Sequence, residues 1–209
     1  MTTCKYTSKD KVGIIVYLCN LKIEELNERL SQKPAIIELT LFRSKFDTET
    51  YQILMRHPQL ISLDLDSTNI TNDSLKYITT LKNLQHINLS NTDITDEGLK
   101  YLQLLKNLKI LYLDYIKIVG DELRYLQPLK NLRYLSLYNT SITDDIVKYL
   151  AKLQNLQTLR LSSTNITSKG LESIAKLPNL KAVSIYNISI SDDEIDKLQQ
   201  LNTNLKINR

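Results

Sequence analysis

Residues that could do catalytic chemistry are few in this sequence. The chain has two cysteines and two histidines, and only His86 falls on a surface that we expect to carry nearby carboxylates, those of Asp64 and Asp66. A Cys–His pair would need Cys4 or Cys19 beside that histidine, but both cysteines belong to a distant part of the chain. The sequence contains no GxSxG, HExxH, Walker or GxGxxG pattern. We therefore predict a non-enzymatic protein with no cofactor and no metal centre, and we interpret His86 as a contact residue.

Composition and charge fit one globular unit. The chain has 209 residues, of which 42% are hydrophobic and 24% charged, and its formal net charge is +4. Four glycines are too few for glycine-rich phosphate loops, and a dedicated nucleic-acid binder carries much denser clusters of Lys and Arg. The start of the chain lacks the pattern of a signal peptide. We therefore expect a cytoplasmic protein with reduced cysteines, and specialised export into another cell stays open as an alternative.

An internal repeat sets the positions of these residues. The segment LKNLQHINLSNTDITDEGLKYLQL (81–104) is followed by LKNLKILYLDYIKIVGDELRYLQP (105–128) and LKNLRYLSLYNTSITDDIVKYLAK (129–152), so the period is 24 residues. Seven such repeats cover 33–200. Self-similarity at this period is typical of a solenoid, in which each repeat packs only on its neighbours.

The repeats also predict the domain organisation. We expect a single domain, 1–209, in which 1–32 form an irregular N-terminal capping region and 201–209 begin an incomplete terminal repeat. Because such a chain has no composition break, nothing in the sequence predicts a second domain.

Each repeat changes its hydrophobic period midway. In 81–104, the apolar residues at 84–89 end in an alternating stretch typical of a strand, whereas those at 94–102 have helical spacing. Thr95 stands where a helix N-cap belongs. The same slot in other repeats holds Thr71, Thr143, Thr167, Ser191 and Asp47. Val119 is the exception, because its side chain cannot accept a hydrogen bond.

A single repeat cannot bury both its strand and its helix, so the repeats must stack with their strands parallel. We expect a continuous parallel sheet of about eight strands at the usual strand spacing. Leu and Ile ladders fill the space between the strands and the helices. Hydroxyl side chains at one inner position are expected to bond loop backbone, and these residues are Ser44, Thr68, Thr92, Thr140 and Thr164. Ile116 and Ile188 interrupt this ladder.

The pattern LxxLxxLxLxxTxITDxGLxxLxx resembles the leucine-rich repeat family, in particular the variants that occur in substrate-adapter proteins and in many bacterial arrays. The resemblance covers 33–200 and implies an α/β, right-handed, horseshoe-shaped solenoid with a concave parallel sheet and convex helices. It also implies a recognition platform, because most leucine-rich repeats bind other proteins. A bacterial-type effector that acts by binding a host protein is a further possibility under this resemblance.

Residues between and just after the strand leucines are expected to face outward on the concave sheet. Because side chains 24 residues apart become neighbours, four tyrosines in two adjacent repeats should cluster beside arginines. Tyr and Arg dominate the energetics of protein interfaces, although tyrosines also suit strands without any ligand. The predicted partner-binding residues are Asp64, Asp66, His86, Tyr112, Asp114, Tyr115, Arg133, Tyr134, Tyr138, Arg160 and Tyr186.

One end of this face is acidic. Asp64 and Asp66 lie there, with Glu38 one repeat before them and Asp114 beyond them. A partner with a basic element would gain orientation and association rate from this charge. Scattered, solvated carboxylates are the alternative interpretation, and the EF-hand spacing of a calcium site is missing.

A second candidate surface lies on the helices. Basic residues recur at one helix position, each followed by a tyrosine, and they are Lys76, Lys100, Arg124 and Lys148. Such a stripe can bind nucleic acid or an anionic membrane. Charged ladders on solenoid backs are usually solvated surfaces, so the sequence favours a protein partner.

The final strand predicts an exposed sheet edge. A two-fold, tail-to-tail homodimer through Leu201, Leu205 and Ile207 would cover this edge. Solvation of the charged residues Lys206 and Arg209 would protect it equally well. The sequence favours a monomer over this dimer.

Overall fold

The computed structural model of the chain describes residues 5–9, 14–18, 24–25, 28 and 36–209. Within these residues, ten strands form one sheet in chain order. The strands are β1 (Lys5–Lys9), β2 (Ile14–Leu18), β3 (Ile36–Thr40), β4 (Ser62–Asp64), β5 (His86–Asn88), β6 (Ile110–Tyr112), β7 (Tyr134–Ser136), β8 (Thr158–Arg160), β9 (Ala182–Ser184) and β10 (Lys206–Asn208). Cys4 and Cys19 lie outside the described residues.

The register of the sheet follows the sequence period. Neighbouring strands from β2 to β10 are parallel. Asp64 pairs with Asn88, which pairs with Tyr112, so residues 24 positions apart stand side by side. The predicted α/β solenoid is confirmed. The expected strand count was too low, because β1 and β2 add an antiparallel pair in a region that lacks the repeat pattern.

A helical segment follows the strand in each complete repeat. The α-helices are α1 (Thr48–Met55), α2 (Ser74–Ile78), α3 (Leu99–Leu102), α4 (Val147–Leu150), α5 (Ser168–Ala175) and α6 (Asp192–Leu201). Three 3₁₀ segments span Asp96–Gly98, Asp121–Leu126 and Asp144–Ile146. In the repeat 105–128 the 3₁₀ segment follows Gly120, one residue after Val119.

Leucines and isoleucines fill the space between strands and helices. Leu111 and Leu135 on adjacent strands are both 0% exposed, and the buried residues form one continuous apolar cluster. Burial of such side chains contributes about 1.5–3 kcal/mol each relative to exposure. The core therefore holds each repeat against the next and fixes where the outward side chains stand.

The predicted N-caps are confirmed in part. Asp47 and Ser191 accept hydrogen bonds from the backbone of Thr50 and Glu194, respectively, and each forms a capping box. Thr95, Thr143 and Thr167 precede their helices but make no side-chain bond to them. For α2 the prediction was wrong, because Asp73 rather than Thr71 precedes the helix.

Asn and Asp side chains of the preceding repeat bond two of these threonines instead. Asn72 Oδ1 accepts from the Thr95 N–H at 3.0 Å, and Asp144 Oδ1 accepts from the Thr167 N–H at 2.9 Å. A Cβ atom at Gly170 would collide with this Asp144 carboxylate. The glycine of the repeat pattern thus makes room for a bond between repeats.

The inner hydroxyl ladder is confirmed at four of its five positions. Thr68, Thr92, Thr140 and Thr164 each donate to the carbonyl three residues earlier, at 2.6–2.7 Å. Ser44 is the exception, because its buried hydroxyl has no hydrogen-bond partner among the described residues. These bonds close the loop that leaves each strand.

The same loop contains a residue with positive φ in every complete repeat. The φ angles lie between 53° and 58° at Arg43, Ser67, Asn91, Tyr115, Asn139, Ser163 and Asn187. Backbone N–H groups here bond the next repeat, as Tyr115 N does with Tyr138 O at 2.9 Å. Asparagine adopts this left-handed conformation more readily than bulky side chains do. Tyr115 is therefore held in a conformation unusual for tyrosine.

Candidate partner-binding surface

Outward side chains of the strands and of the loops that follow them form one surface, which we call the sheet face. Tyr112 on β6 and Tyr134 on β7 lie at its centre, with ring centroids 4.9 Å apart and an angle of 45° between the rings. Burial raises the pKa of Tyr112, and neighbouring Tyr134 raises it further. The two rings therefore form a packed, partly dehydrated centre.

A second aromatic pair stands beside the first. Tyr115 and Tyr138 meet edge to face, with ring centroids 5.1 Å apart, and Tyr115 is 47% exposed. We call Tyr112, Tyr115, Tyr134 and Tyr138 the tyrosine cluster. The register brings these four predicted residues together, as the sequence period indicates.

Arg160 on β8 connects the two pairs. Its guanidinium carbon lies 5.5 Å from the centroid of the Tyr138 ring. Burial lowers the pKa of Arg160, but neighbouring Tyr134 and Asp114 outweigh this effect and raise it. Arg160 Nη1 lies 4.0 Å from Asp114 Oδ2. A planar cation that contacts an aromatic ring and a carboxylate can keep neighbouring side chains of a binding surface in fixed positions.

Asp114 has a different place from the one predicted. It is 8% exposed, and its Oδ1 accepts hydrogen bonds from the Ser136 hydroxyl and from the Tyr138 N–H at 2.9 Å. Burial raises the pKa of the Asp114 carboxyl, although Ser136, the Tyr138 N–H and Arg160 oppose this shift. Asp114 is thus a support beneath the tyrosine cluster rather than an outward contact.

Asp64 and Asp66 occupy the acidic end of the sheet face. Asp64 Oδ1 accepts from the backbone N–H of Asp66 at 3.0 Å, while Asp66 Oδ1 accepts from Ser67 Oγ at 2.7 Å and from Asn91 Nδ2 at 3.0 Å. Burial raises the pKa of the Asp64 carboxyl, and the bond from the Asp66 N–H opposes that shift. Both carboxylates are held in place and remain partly open to solvent.

His86 lies next to this acidic end. Its backbone pairs with Ser62 on β4 and with Ile110 on β6. A depression of about 300 Å³ lies on the sheet face here, and it extends to Tyr112. The structure thus brings His86 and Asp64 to the edge of the tyrosine cluster.

Two predicted residues lie outside the tyrosine cluster. Arg133 is exposed and directly precedes β7. Tyr186 is 53% exposed and lies two repeats beyond Tyr138, with buried Ser162 at the equivalent position between them. The backbone N–H of Tyr186 donates to that Ser162 hydroxyl at 3.0 Å. Arg133 directly precedes Tyr134 in the chain, whereas Tyr186 lies two repeats from Tyr138, so the register does not place Tyr186 beside the four tyrosines.

Basic residues on the helix side have acidic neighbours. Lys76 Nζ lies 2.6 Å from Asp73 Oδ1, Lys148 Nζ lies 3.6 Å from Asp121 Oδ1, and Arg124 pairs with a glutamate of its own segment. The charge of the stripe is therefore partly compensated. Binding of nucleic acid or membrane through it stays a prediction that this geometry does not favour.

The hydrophobic residues of the predicted dimer contact differ in exposure. Leu201 is 46% exposed, whereas Leu205 is 4% exposed and packs inside its own chain. Ile207 is half-buried against the core. A tail-to-tail contact would thus rest mainly on Leu201, and the preference for a monomer stays a prediction.

Two features of the described residues bear on other functions. No group of three or more His, Cys, Asp or Glu side chains there is arranged to hold a metal ion. In the same residues, no helix has the length and apolar character needed to cross a membrane.

Comparisons with known proteins match the repeat architecture. Family models described as leucine-rich repeats match residues 130–171, as two copies, and residues 80–102. No curated protein matches the chain. Among solved structures, internalin C2 from Listeria monocytogenes is 27% identical, with a TM-score of 0.68, and the match covers 93% of this chain and 79% of that one.

Two more distant structures share the fold. A second Listeria monocytogenes internalin is 20% identical with a TM-score of 0.58, and the match covers 83% of this chain and 53% of that one. A leucine-rich-repeat protein from Leptospira interrogans is 21% identical with a TM-score of 0.58, over 84% and 46% of the two chains. This chain spans about half the length of each of these two proteins.

The repeat pattern, the parallel sheet and these matches identify the class: the chain is a leucine-rich-repeat protein. Proteins of this class generally serve as scaffolds for protein interactions, and the chain fits that general role.

Three outward positions of this surface were not among the predicted partner-binding residues, although the repeat marks them as candidate contact positions. Ser136 is buried and positions Asp114, while Asn88 and Ile110 line the depression. Their spacing of 24 residues from Tyr112, Asp64 and His86 was a usable signal. The spacing did not predict which of these three residues is buried, because burial depends on the sizes of the side chains in the adjacent repeats.

Proposed function

We propose that this protein is a non-enzymatic scaffold that binds a folded partner protein through the tyrosine cluster of its sheet face. The observation that carries the proposal is the backbone of Tyr115, whose φ is 58°. A left-handed conformation costs an ordinary L-residue about 1–2 kcal/mol, and asparagine adopts it more readily. The equivalent positions hold asparagine at 91, 139 and 187, serine at 67 and 163, and arginine at 43, so the loop imposes this φ in every complete repeat and Tyr115 is its one aromatic occupant.

The position of the Tyr115 ring supports a role in recognition. The ring is 47% exposed, so only part of the cost of the backbone is recovered by burial within the chain. Strained residues that persist in a fold tend to occur at functional sites. Pairing across strands would account for Tyr112 and Tyr134, and the loop gives every complete repeat a positive φ. What recognition would explain is the choice of a half-exposed tyrosine at a position that asparagine fills in three other repeats.

The residue types of the cluster fit a protein partner. Tyr and Arg are enriched among the few interface residues that carry most of the binding energy. Arg160 is oriented by its contacts with the Tyr138 ring and with Asp114. A side chain that is already ordered loses less conformational entropy when a partner binds.

Capture of partner proteins by purified chain tests the proposal. The variant Tyr112→Ala/Tyr138→Ala/Arg160→Ala, which we call the cluster variant, removes two tyrosines of the cluster and the arginine beside them. The variant Lys100→Ala/Arg124→Ala/Lys148→Ala is a matched control on the helix side. We expect wild type and control to capture the same protein, and the cluster variant to bind it at least about tenfold more weakly.

Circular dichroism and thermal unfolding of the three proteins separate a loss of binding from a loss of fold. A folded cluster variant that retains the same partner at unchanged affinity overturns the proposal. Loss of the partner in the helix-side variant alone would instead favour the basic stripe.

The cellular setting of this interaction stays a prediction. The structural relatives named above come from bacteria, which is compatible with the alternative of an exported effector that binds a host protein. A cytoplasmic partner is equally compatible with the same surface, so fractionation of the source cells is the measurement that decides between them.

A further inference from the structure

The depression beside the tyrosine cluster has two chemically distinct walls. It is lined by outward side chains of three adjacent strands, which are Ser62, Asp64, His86, Asn88, Ile110 and Tyr112. Asp64, Asn88 and Tyr112 form one row across β4, β5 and β6. The carboxylate and the aromatic ring therefore flank the same cavity of about 300 Å³.

The width of the depression fits one inserted side chain. Asp64 and Tyr112 are two strands apart, which corresponds to roughly 10 Å between their backbones. The strand between them contributes Asn88 to this row, and Ile110 provides apolar surface in the row beside it. A long side chain entering from the partner can thus contact the carboxylate on one side and the ring on the other.

The charges at this depression favour a cation. The Asp64 carboxylate is fixed by the Asp66 N–H at 3.0 Å, and among the described residues no lysine or arginine forms an ion pair with it. Asp114, by contrast, has Arg160 beside it. Asp64 is thus a carboxylate at this depression that a partner cation can still reach.

We infer that the depression accepts one arginine side chain of the partner protein, an inference that rests on the proposed function. The guanidinium group pairs with Asp64, because its planar N–H donors match a carboxylate. Its cationic plane lies against the ring of Tyr112, and its methylene groups pack on Ile110. Arginine is thus the residue that sets the partner's register on the sheet face.

A titration followed by NMR tests this inference without knowledge of the partner. The probe is Nα-acetyl-L-arginine methylamide, added to the full ¹⁵N-labelled chain, and its matched control is the neutral citrulline derivative. We expect the arginine probe to shift the backbone amide signals of Asp64, Asn88 and Tyr112 saturably in the millimolar range. We expect the citrulline probe to leave them unchanged at the same concentrations.

Two variants assign the effect to the depression. Asp64→Asn is expected to weaken the binding of the arginine probe at least about fivefold, whereas Asp145→Asn, which changes an exposed carboxylate on the helix side, is expected to leave it unchanged. Equal shifts with the citrulline probe, or an unaltered arginine titration of Asp64→Asn, would overturn the inference.

The capture experiment separates this inference from the proposed function. If Asp64→Asn keeps the partner at full affinity while the tyrosine-cluster variant loses it, the scaffold function stands and the arginine site is wrong. If the tyrosine-cluster variant keeps the partner, the proposed function fails, and the probe titration still decides whether Asp64 and Tyr112 bind a guanidinium group.

Discussion

Tyr115 meets Tyr138 edge to face, with ring centroids 5.1 Å apart and an angle of 87° between the ring planes. The backbone N–H of Tyr115 also donates to the carbonyl of Tyr138 at 2.9 Å. The same two residues thus pair through side chain and backbone, while Tyr115 has a φ of 58°. An exposed aromatic contact is in this way built on a strained backbone position.

Substitution of Tyr115 distinguishes the free-energy cost of its backbone strain from the stabilisation by its contact with the Tyr138 ring. The left-handed backbone costs about 1–2 kcal/mol for an ordinary residue, and the ring pair contributes about 0.5–1.5 kcal/mol. We expect Tyr115→Asn to be at least as stable as wild type, and Tyr115→Ala to be about 1 kcal/mol less stable than Tyr115→Asn. Urea unfolding of the three proteins measures both differences. Equal stability of the Asn and Ala variants would mean that this position carries no strain.

Removal of Asp114 tests the support beneath the tyrosine cluster. Asp114→Ala leaves the Tyr138 N–H and the Ser136 hydroxyl without their acceptor, so we expect a loss of about 2–3 kcal/mol in the free energy of unfolding. Ser136→Ala removes a single bond and should cost about 1 kcal/mol. If Asp114→Ala unfolds at the same urea concentration as wild type, Asp114 does not hold the cluster.

The pH dependence of stability tests the environment of Asp64. Burial raises the pKa of the Asp64 carboxyl, so the native chain holds this proton more tightly than the unfolded chain does. Its contribution to the free energy of unfolding therefore falls as pH rises through the unfolded pKa of about 3.9 and the raised native one. We expect Asp64→Asn to be more stable than wild type at pH 7, with the gain shrinking toward pH 3. A gain that grows as pH falls would contradict this assignment.

Asp47 provides a control, because the pH dependence of its contribution to stability should have the opposite sign to that of Asp64. Its pKa is lowered chiefly by the hydrogen bond from the Thr50 N–H, so its contribution to stability is present above the unfolded pKa and is lost as pH falls through the native one. Asp47→Ala should cost about 1 kcal/mol at pH 7, and this cost should shrink in acid. Urea unfolding at several pH values compares the two aspartates directly.

The core between strands and helices should not tolerate a charge. Leu111 is 0% exposed, so Leu111→Asp places an unpaired carboxylate in an apolar layer, and we expect it to abolish cooperative folding. Leu111→Ala should instead give a folded protein that is less stable by about 2–5 kcal/mol. Circular dichroism and thermal unfolding distinguish the two results, and a cooperative transition of Leu111→Asp near that of wild type would disprove the stacking of the leucine ladders.

Sequence periodicity predicted the fold because each repeat buries its leucines only when its neighbours are in register. That register also brought Tyr112 and Tyr134 together. The role of Asp114 was not predictable, since its burial depends on the small Ser136 in the next repeat and on Tyr138 above it. The pair β1 and β2 was not predicted either, because its residues lie outside the repeat pattern.

Site-directed photo-crosslinking tests the central proposal most directly. The photoreactive residue p-benzoylphenylalanine replaces Tyr138 on the sheet face, and in a matched protein it replaces Lys148 on the helix side. After irradiation in lysates of the source cells, we expect a covalent adduct with a partner protein from position 138 and none from position 148, and we expect Tyr115→Ala to reduce that adduct. An adduct from position 148 alone, or equal adducts from both positions, would contradict binding through the tyrosine cluster.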